Sequence, residues 1–290
     1  MTDRPLPWPG RKTVFAALFL LDGGTLVTIS SNRVEGWDLG GGGLRWTTKL
    51  SQAFCLVEGA GTKSVVVSST KGSVICVHVQ TGNVLWEQAT GIRDIRVMAL
   101  QDGRIVGMGH GGAIRIWAGK TGKLLASYDT CLPLLRPQKV PGTDGPLVVT
   151  PMDDQILCRF DPDRGRLFAM GRFAEDDPVS VCPDGTRVLC LDRPNGALTL
   201  RTAKGKRLAG PAPLGMDRLG SWPPVWSPDG RQAVFCGSGE QGHILVDTAD
   251  LSVRANWPGQ GALPPAVHPD GTSLLLCGAG PARIVPIPAT

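Results

Sequence analysis

The sequence has few of the residues that usually carry catalysis. Its 290 residues include four histidines, none of which has the HxH or HxxxH spacing of metal ligands. No CxxC pair occurs among its eight cysteines, and neither Lys-Ser nor Lys-Thr follows the glycine run at 40–43, as it would in a phosphate-binding loop. We therefore expect no catalytic residue, no metal site and no cofactor.

Long apolar runs and helical patterns are also missing. No stretch has the 3.6-residue periodicity of an amphipathic helix, and the apolar run VFAALFLL at 14–21 is too short to span a bilayer. Arg-Lys precedes this run, as in a signal peptide, but DGGT follows it instead of a small-residue cleavage site. We expect a strand here and a cytoplasmic protein, with export as the alternative.

What the chain does contain is a repeated turn. Its 39 glycines and 24 prolines make up about a fifth of the residues, which favours short strands joined by tight turns. A turn precedes an apolar strand seven times, with spacings of 38 to 45 residues between successive turns. The residues that mark these turns are Asp22, Ala60, Asp102, Asp144, Asp184, Asp229 and Asp270.

Each repeat is predicted to contain four strands. A second strand with period-two alternation follows each marker by about ten residues, and a second turn such as QTGN or KTGK comes next. Seven such repeats of about 41 residues predict an all-β fold: one seven-bladed β-propeller domain over 1–290. WPG occurs at 8–10 and again at 257–259, so we expect residues 4–8 to complete the last blade beside Ile284 and Val285.

Two motifs carry a family resemblance. VWSPDGR at 225–231 and GHGGAIRIWAGKTGKLL at 109–125 resemble the repeats of bacterial WD-repeat proteins. The resemblance implies a non-catalytic scaffold or accessory subunit that binds other proteins. The WD dipeptide itself survives only at Trp37-Asp38, so the side-chain network that stiffens typical WD blades is expected to be missing from most of these repeats.

A second resemblance concerns the outer strands. TGNVLWEQ and GGLRWTTK are similar to the repeat of pyrroloquinoline-quinone dehydrogenases, which are also propellers. In that family an outer-strand tryptophan packs between units, and Trp46 and Trp86 match its position. The further ligands of a metal and quinone site have no counterpart in this sequence, so the resemblance implies the packing and not the chemistry.

The candidate binding surface consists of loops on one face of the predicted propeller. Its charges are mixed, which suits a protein partner better than a polyanion. The interval between Asp184 and Asp229 is the longest, and its extra residues include side chains common at interfaces. The candidates are Arg93, Asp94, His110, Asp153, Asp154, Glu175, Asp176, Asp177, Arg193, Met216, Arg218, Trp222 and Glu240.

Two other functions stay open on sequence alone. The acidic groups at 153–154 and 175–177 can bind a cation, as in a metal-dependent hydrolase or lactonase-like propeller enzyme. The basic run RTAKGKR at 201–207 can bind nucleic acid weakly, although it has no aromatic residues nearby and also fits a solvated edge strand. No membrane partner is expected. His268 precedes Pro-Asp-Gly and is expected to support that turn.

Overall fold

The structure is a computed structural model, and it describes residues 4–5, 13–30, 32–59, 63–130, 132, 135–138, 146–150, 155–173, 177–192, 197–214, 223–237, 242–259, 263–278 and 282–288. These residues form 28 strands and no helix. The strands make up seven four-stranded sheets, and their described registers are antiparallel.

The first three sheets each contain four consecutive strands, hydrogen-bonded in chain order. Sheet 1 contains β2 (Ala16–Phe19), β3 (Thr25–Ser30), β4 (Arg33–Asp38) and β5 (Gly43–Lys49). Sheet 2 contains β6 (Ala53–Glu58), β7 (Ser64–Ser69), β8 (Ser73–His78) and β9 (Val84–Ala89). Sheet 3 contains β10 (Arg96–Ala99), β11 (Arg104–Met108), β12 (Ala113–Ala118) and β13 (Leu124–Asp129).

The next three sheets repeat this order. Sheet 4 contains β14 (Leu135–Gln138), β15 (Leu147–Thr150), β16 (Gln155–Asp161) and β17 (Arg166–Phe173). Sheet 5 contains β18 (Asp177–Val181), β19 (Arg187–Asp192), β20 (Ala197–Thr202) and β21 (Arg207–Pro213). Sheet 6 contains β22 (Val225–Trp226), β23 (Gln232–Cys236), β24 (His243–Asp247) and β25 (Val253–Trp257).

The seventh sheet joins the two ends of the described chain. It contains β26 (Ala266–Val267), β27 (Ser273–Leu276), β28 (Arg283–Pro286) and the first strand, β1 (Arg4–Pro5). Arg4 pairs with Ile284 and Pro5 pairs with Arg283. Because the register is antiparallel and sets Arg4 opposite Ile284, the next residue, Pro5, faces Arg283 in place of the expected Val285. Residues 6–8 of the expected strand lie outside the described residues.

The strands belong to two compact units. The N-terminal unit comprises the described residues of Ala16–Pro151 and Cys158–Ala169. The C-terminal unit comprises those of Met1–Phe15, Met152–Leu157 and Met170–Thr290.

Sheets in the N-terminal unit stack face to face. Strand β7 is buried along its whole length, and successive side chains point to opposite faces of a strand. Val65 and Val67 join a core cluster with Val27 and Ile29 of sheet 1. Val66 joins another cluster, which includes residues of sheet 3. Sheet 2 is thus packed on both faces, and burying each large aliphatic side chain contributes roughly 1.5–3 kcal/mol.

The C-terminal unit uses the same alternation. In β23, Ala233 and Phe235 pack with Leu189 and Leu198 of sheet 5. Val234, between them, packs in another cluster with Leu274 of sheet 7. Sheet 6 is therefore covered on both faces in the same way as sheet 2.

The cysteines at the repeated strand position are core residues. Cys190, Cys236 and Cys277 are all buried, as their shared register predicts. The seven cysteines within the described residues are free thiols. Burial raises the pKa of the Cys236 thiol to about 12, so this thiol is not activated as a nucleophile.

Aromatic side chains on the outer strands join neighbouring sheets in the N-terminal unit. The Trp86 indole Nε1 donates a hydrogen bond of 2.7 Å to the Gly119 carbonyl, and its ring lies against Gly122. Trp46 makes the same contacts with Val79 and Gly82, forty residues earlier. The packing role inferred for the two tryptophans is therefore confirmed.

A third aromatic side chain, which the sequence analysis missed, docks in the same manner. The Tyr128 hydroxyl lies 3.4 Å from the Pro162 carbonyl, and its ring covers Gly165. Tyr128 lies two residues beyond Ala126, which occupies the tryptophan position. The two side chains point to the same face of the strand, which allows the tyrosine to serve in place of a tryptophan.

We expect Gly122→Ala to destabilise the protein more than Gly91→Ala. Both glycines have a left-handed backbone, with φ of 68° and 70°, which costs a non-glycine residue about 1–2 kcal/mol. A Cβ at Gly122 would lie 2.6 Å from the Trp86 ring, whereas one at Gly91 would meet no atom within 4 Å. Overpacking should add about 1–3 kcal/mol at Gly122 alone. Urea unfolding of both variants measures the difference, and equal losses would contradict aromatic docking.

Candidate functional site

Three of the predicted surface residues come together at one end of sheet 3. Arg93 and Asp94 precede β10, and His110 follows β11. Arg96 pairs with Met108 across these strands, so the two loops lie side by side. All three candidate side chains are exposed.

Hydrogen bonds hold the first of these loops in place. The Thr90 hydroxyl donates to the Gly72 carbonyl at 2.7 Å and accepts from the Ile92 amide at 3.1 Å. The Asp94 amide donates to the Thr70 carbonyl of the β7–β8 turn at 3.3 Å. Asp94 has a φ of 51°, a conformation that aspartate tolerates better than most residues.

The same brace recurs one repeat later, next to His110. The Thr130 hydroxyl contacts the Gly112 carbonyl at 3.2 Å and the Leu132 amide at 3.4 Å. Gly112 has a φ of 94°, and a Cβ there would collide with the Leu132 backbone. The loop before β10 and the turn after β11 are therefore positioned by hydrogen bonds from threonine hydroxyls and backbone amides, and not by the candidate side chains themselves.

Most of the other predicted surface residues lie outside the described residues. Asp177 is the first residue of β18, and its backbone pairs with Leu191. The candidates outside the described residues are Asp153, Asp154, Glu175, Asp176, Arg193, Met216, Arg218, Trp222 and Glu240.

His268 supports its turn, as the sequence predicts. Its Nδ1 lies 2.7 Å from an Asp270 carboxylate oxygen. The residues before the other two Pro-Asp-Gly turns make equivalent contacts: Cys182 Sγ lies 2.5 Å from Asp184 Oδ1 and Ser227 Oγ lies 2.6 Å from Asp229 Oδ1. The imidazole thus replaces a thiol or a hydroxyl in a structural position.

His243 is a buried histidine whose environment the sequence did not predict. It is fully buried, its Nε2 lies 3.0 Å from the Leu263 carbonyl, and no described group contacts its Nδ1. Burial lowers the pKa of His243, which keeps the ring neutral. His243 begins β24, a strand in which every residue is buried. This position in the strand was the signal from which its burial could have been predicted.

The basic run lies on an edge strand and the turn before it. Lys204, Lys206 and Arg207 are exposed, while the Arg201 guanidinium donates to the Gly205 carbonyl at 2.9 Å. Strand β21 also carries two prolines and pairs irregularly with β20. Charges, prolines and irregular pairing are the usual protection of an exposed sheet edge, which agrees with the solvated-edge interpretation.

The part of the chain that the structure describes contains neither a metal-binding cluster nor a membrane-spanning helix. In these residues, no group of three or more His, Cys, Asp and Glu side chains is arranged to hold a metal ion. No helix there is long and apolar enough to cross a membrane.

Comparison with known proteins identifies the fold. The PQQ_2 family model, described as outer membrane protein assembly factor BamB, matches residues 10–133, a span that includes Trp46 and Trp86. No curated protein sequence matches the chain.

Solved structures match nearly the whole chain. The β-propeller domain of Cps50 (Swd1) from Myceliophteria thermophila superposes with a TM-score of 0.80 at 12% identity, covering 99% of this chain and 100% of that one. Hydrazine synthase from Kuenenia stuttgartiensis superposes with a TM-score of 0.76 at 14% identity, covering 100% of this chain and 99% of that one. The protein has a β-propeller fold, and at these identities the likeness extends to the fold alone.

We expect Asp184→Asn to destabilise the protein near neutral pH and to do so less in acid. Burial opposes ionisation of Asp184, but hydrogen bonds from Cys182 and Thr186 and the charge of Arg187 lower its pKa to about 2. Ionised Asp184 therefore contributes stability above its unfolded pKa of about 4, and this contribution is lost as the pH falls through the folded value. Urea unfolding should show the wild-type advantage narrowing between about pH 4 and pH 2. An advantage that stays constant over this range would contradict the assignment.

Proposed function

We propose that the protein is a non-catalytic interaction scaffold or accessory subunit of a larger complex, which binds other proteins through the loop-rich end of its blades. The observation that carries this proposal is the exposed group Arg93, Asp94 and His110, which lies on loops braced by backbone hydrogen bonds. Braced loops lose little conformational entropy on binding, and mixed charge favours specific recognition of a protein surface.

The proposal also covers the architecture of the whole chain. One propeller domain over 1–290 has seven blades, and residues 4–8 complete the last blade and close the ring. Seven four-stranded sheets and the pairing of β1 with β28 support this arrangement. The resemblance to bacterial WD-repeat proteins favours a bacterial protein, and buried free thiols favour the reducing cytoplasm.

The comparisons favour partners that are proteins. The matching family is described as an assembly factor, which supports a role beside other gene products. One structural neighbour is an enzyme, hydrazine synthase, so the metal-dependent hydrolase or lactonase-like alternative requires its own test. Elemental analysis of the purified protein provides it: a stoichiometric metal would favour the enzyme, and its absence would favour the scaffold.

The nucleic-acid alternative rests on the exposed Lys204, Lys206 and Arg207. It requires retardation of DNA or RNA at low salt, with an affinity that falls steeply as salt rises. No retardation at low salt would remove this alternative.

We expect the triple variant Arg93→Ser, Asp94→Asn, His110→Ser to bind its partner at least about tenfold more weakly, since truncating one side chain that carries much of the binding energy costs about 2 kcal/mol or more. The partner is first captured from the native cell with the wild-type protein, and its affinity is then measured with each purified variant. Asn is chosen at 94 because it tolerates the left-handed backbone.

The matched control for this experiment is Lys120→Ser with Lys123→Ser. These exposed lysines lie in the β12–β13 turn, at the other end of the same sheet. The control should leave affinity unchanged. Equal affinity of both variants would place the partner elsewhere, and shortening the segment between β21 and β22 then tests the other candidates Met216, Arg218 and Trp222.

A further inference from the structure

A cavity opens between sheets 1 and 2 of the N-terminal unit. Its volume is about 280 Å³, and it is lined by the end of β5 and the residue after it, by the β7–β8 turn, and by the adjoining faces of β8 and β9. It borders the candidate surface, because the β7–β8 turn accepts the hydrogen bond from the Asp94 amide at Thr70.

Two lysines, Lys49 and Lys71, line the cavity. Lys49 and Lys71 are both exposed, and neither ammonium has an ion pair or hydrogen bond to any described residue. Serine hydroxyls adjoin them, at Ser51 and Ser73. Unpaired cations beside hydroxyl donors provide the chemistry that binds a carboxylate.

Three aliphatic side chains also line the cavity. Leu50 is half-buried and Ile75 is buried, whereas Val84 is 48% exposed. The hydrogen bond of 2.5 Å from the Thr48 hydroxyl to the Gly82 carbonyl ties the two sheets together beside Val84. An apolar side chain that enters here covers exposed aliphatic surface. Strand β5, which this hydrogen bond holds against sheet 2, limits how far the entering side chain extends.

One carboxylate also lines the cavity. Glu87 is exposed and lies opposite Ile75 in the β8–β9 register. It repels an anion placed near it, so a bound carboxylate is favoured beside the lysines. The lining thus carries two cations and one anion, and its net charge is positive.

We propose that this cavity captures the C-terminal residue of a partner polypeptide, with its aliphatic side chain against Leu50, Ile75 and Val84 and its free carboxylate between Lys49 and Lys71. The inference rests on the proposed function, since it names the chemistry of the partner at this end of the blades.

Size and charge together select this occupant. The cavity is slightly smaller than the sites that hold drug-sized molecules, which begin at about 300 Å³. A chain terminus presents an apolar group and a carboxylate on one residue, which satisfies both the aliphatic and the cationic lining residues within this volume. Capture of a terminal carboxylate by a small pocket is an established mode of peptide recognition.

The test uses the full-length protein and a fluorescein-labelled peptide, Gly-Gly-Ser-Ser-Leu, with a free carboxyl end, compared with the same peptide amidated. Fluorescence anisotropy should show that the free acid binds and that the amide binds at least about fivefold more weakly. Lys49→Gln and Lys71→Gln should each weaken binding of the acid by about 1.4- to 5-fold, the range measured for exposed ion pairs.

Glu87→Gln should have the opposite effect on the affinity for the free acid. It removes the repelling carboxylate, so it should strengthen binding of the acid and leave the amide unaffected. Lys123→Gln, on sheet 3, is the matched control and should change nothing. Thermal unfolding of each variant confirms that its fold is intact.

Several outcomes would overturn the inference: no binding of the free acid, equal binding of acid and amide, or acid binding that is insensitive to both lysine substitutions. These outcomes leave the scaffold proposal standing, because that proposal is tested with the native partner and the Arg93, Asp94 and His110 variant. If the native partner binds with normal affinity to Lys49→Gln and Lys71→Gln, the cavity is not the site that it uses.

Discussion

The stacking of four-stranded sheets on one another is the constraint on which the rest of the structure depends. Strand β7 sends Val65 and Val67 to one core cluster and Val66 to another, so its sheet has two apolar faces and cannot shield both alone. Each face is covered by a neighbouring sheet. In sheets 1 to 3 the outermost strands β5, β9 and β13 are the most exposed, because no further strand covers them.

The two ends of a sheet have different roles in this stacked arrangement. In the N-terminal unit, one end carries the glycine turns on which Trp86 and Tyr128 dock, so its residues are committed to joining sheets. At the other end, Thr90 and Thr130 brace the backbone and leave neighbouring side chains exposed. The proposed loop surface lies at the braced end, and the cavity proposed to bind a carboxylate is lined both by residues of that end and by Val84, beside the Gly82 turn.

Two tryptophans of the N-terminal unit are fixed by hydrogen bonds from their ring nitrogens, one within a sheet and one between sheets. The Trp37 indole donates to the Thr28 hydroxyl at 3.1 Å, within sheet 1. Nine residues later, Trp46 makes the glycine-docking contact that fits the family match over residues 10–133. Both devices fix a tryptophan by its ring nitrogen, and both serve packing. They account for the fold without assigning a chemistry, which is why function has to be argued from exposed residues.

By itself the sequence determined the strands, their order and the turns, because period-two alternation and Asp-Gly turn chemistry are local properties of the chain. It also predicted the docking of Trp46 and Trp86 and the support of a turn by His268. Only the tertiary structure decided that Tyr128 docks two residues beyond the tryptophan position, that His243 is fully buried, and that Lys49 and Lys71 face one cavity. Each of these depends on how one sheet is placed against the next. Contacts between residues that are distant in the chain produce no periodic pattern or fixed spacing in the sequence, so they could not be predicted from it.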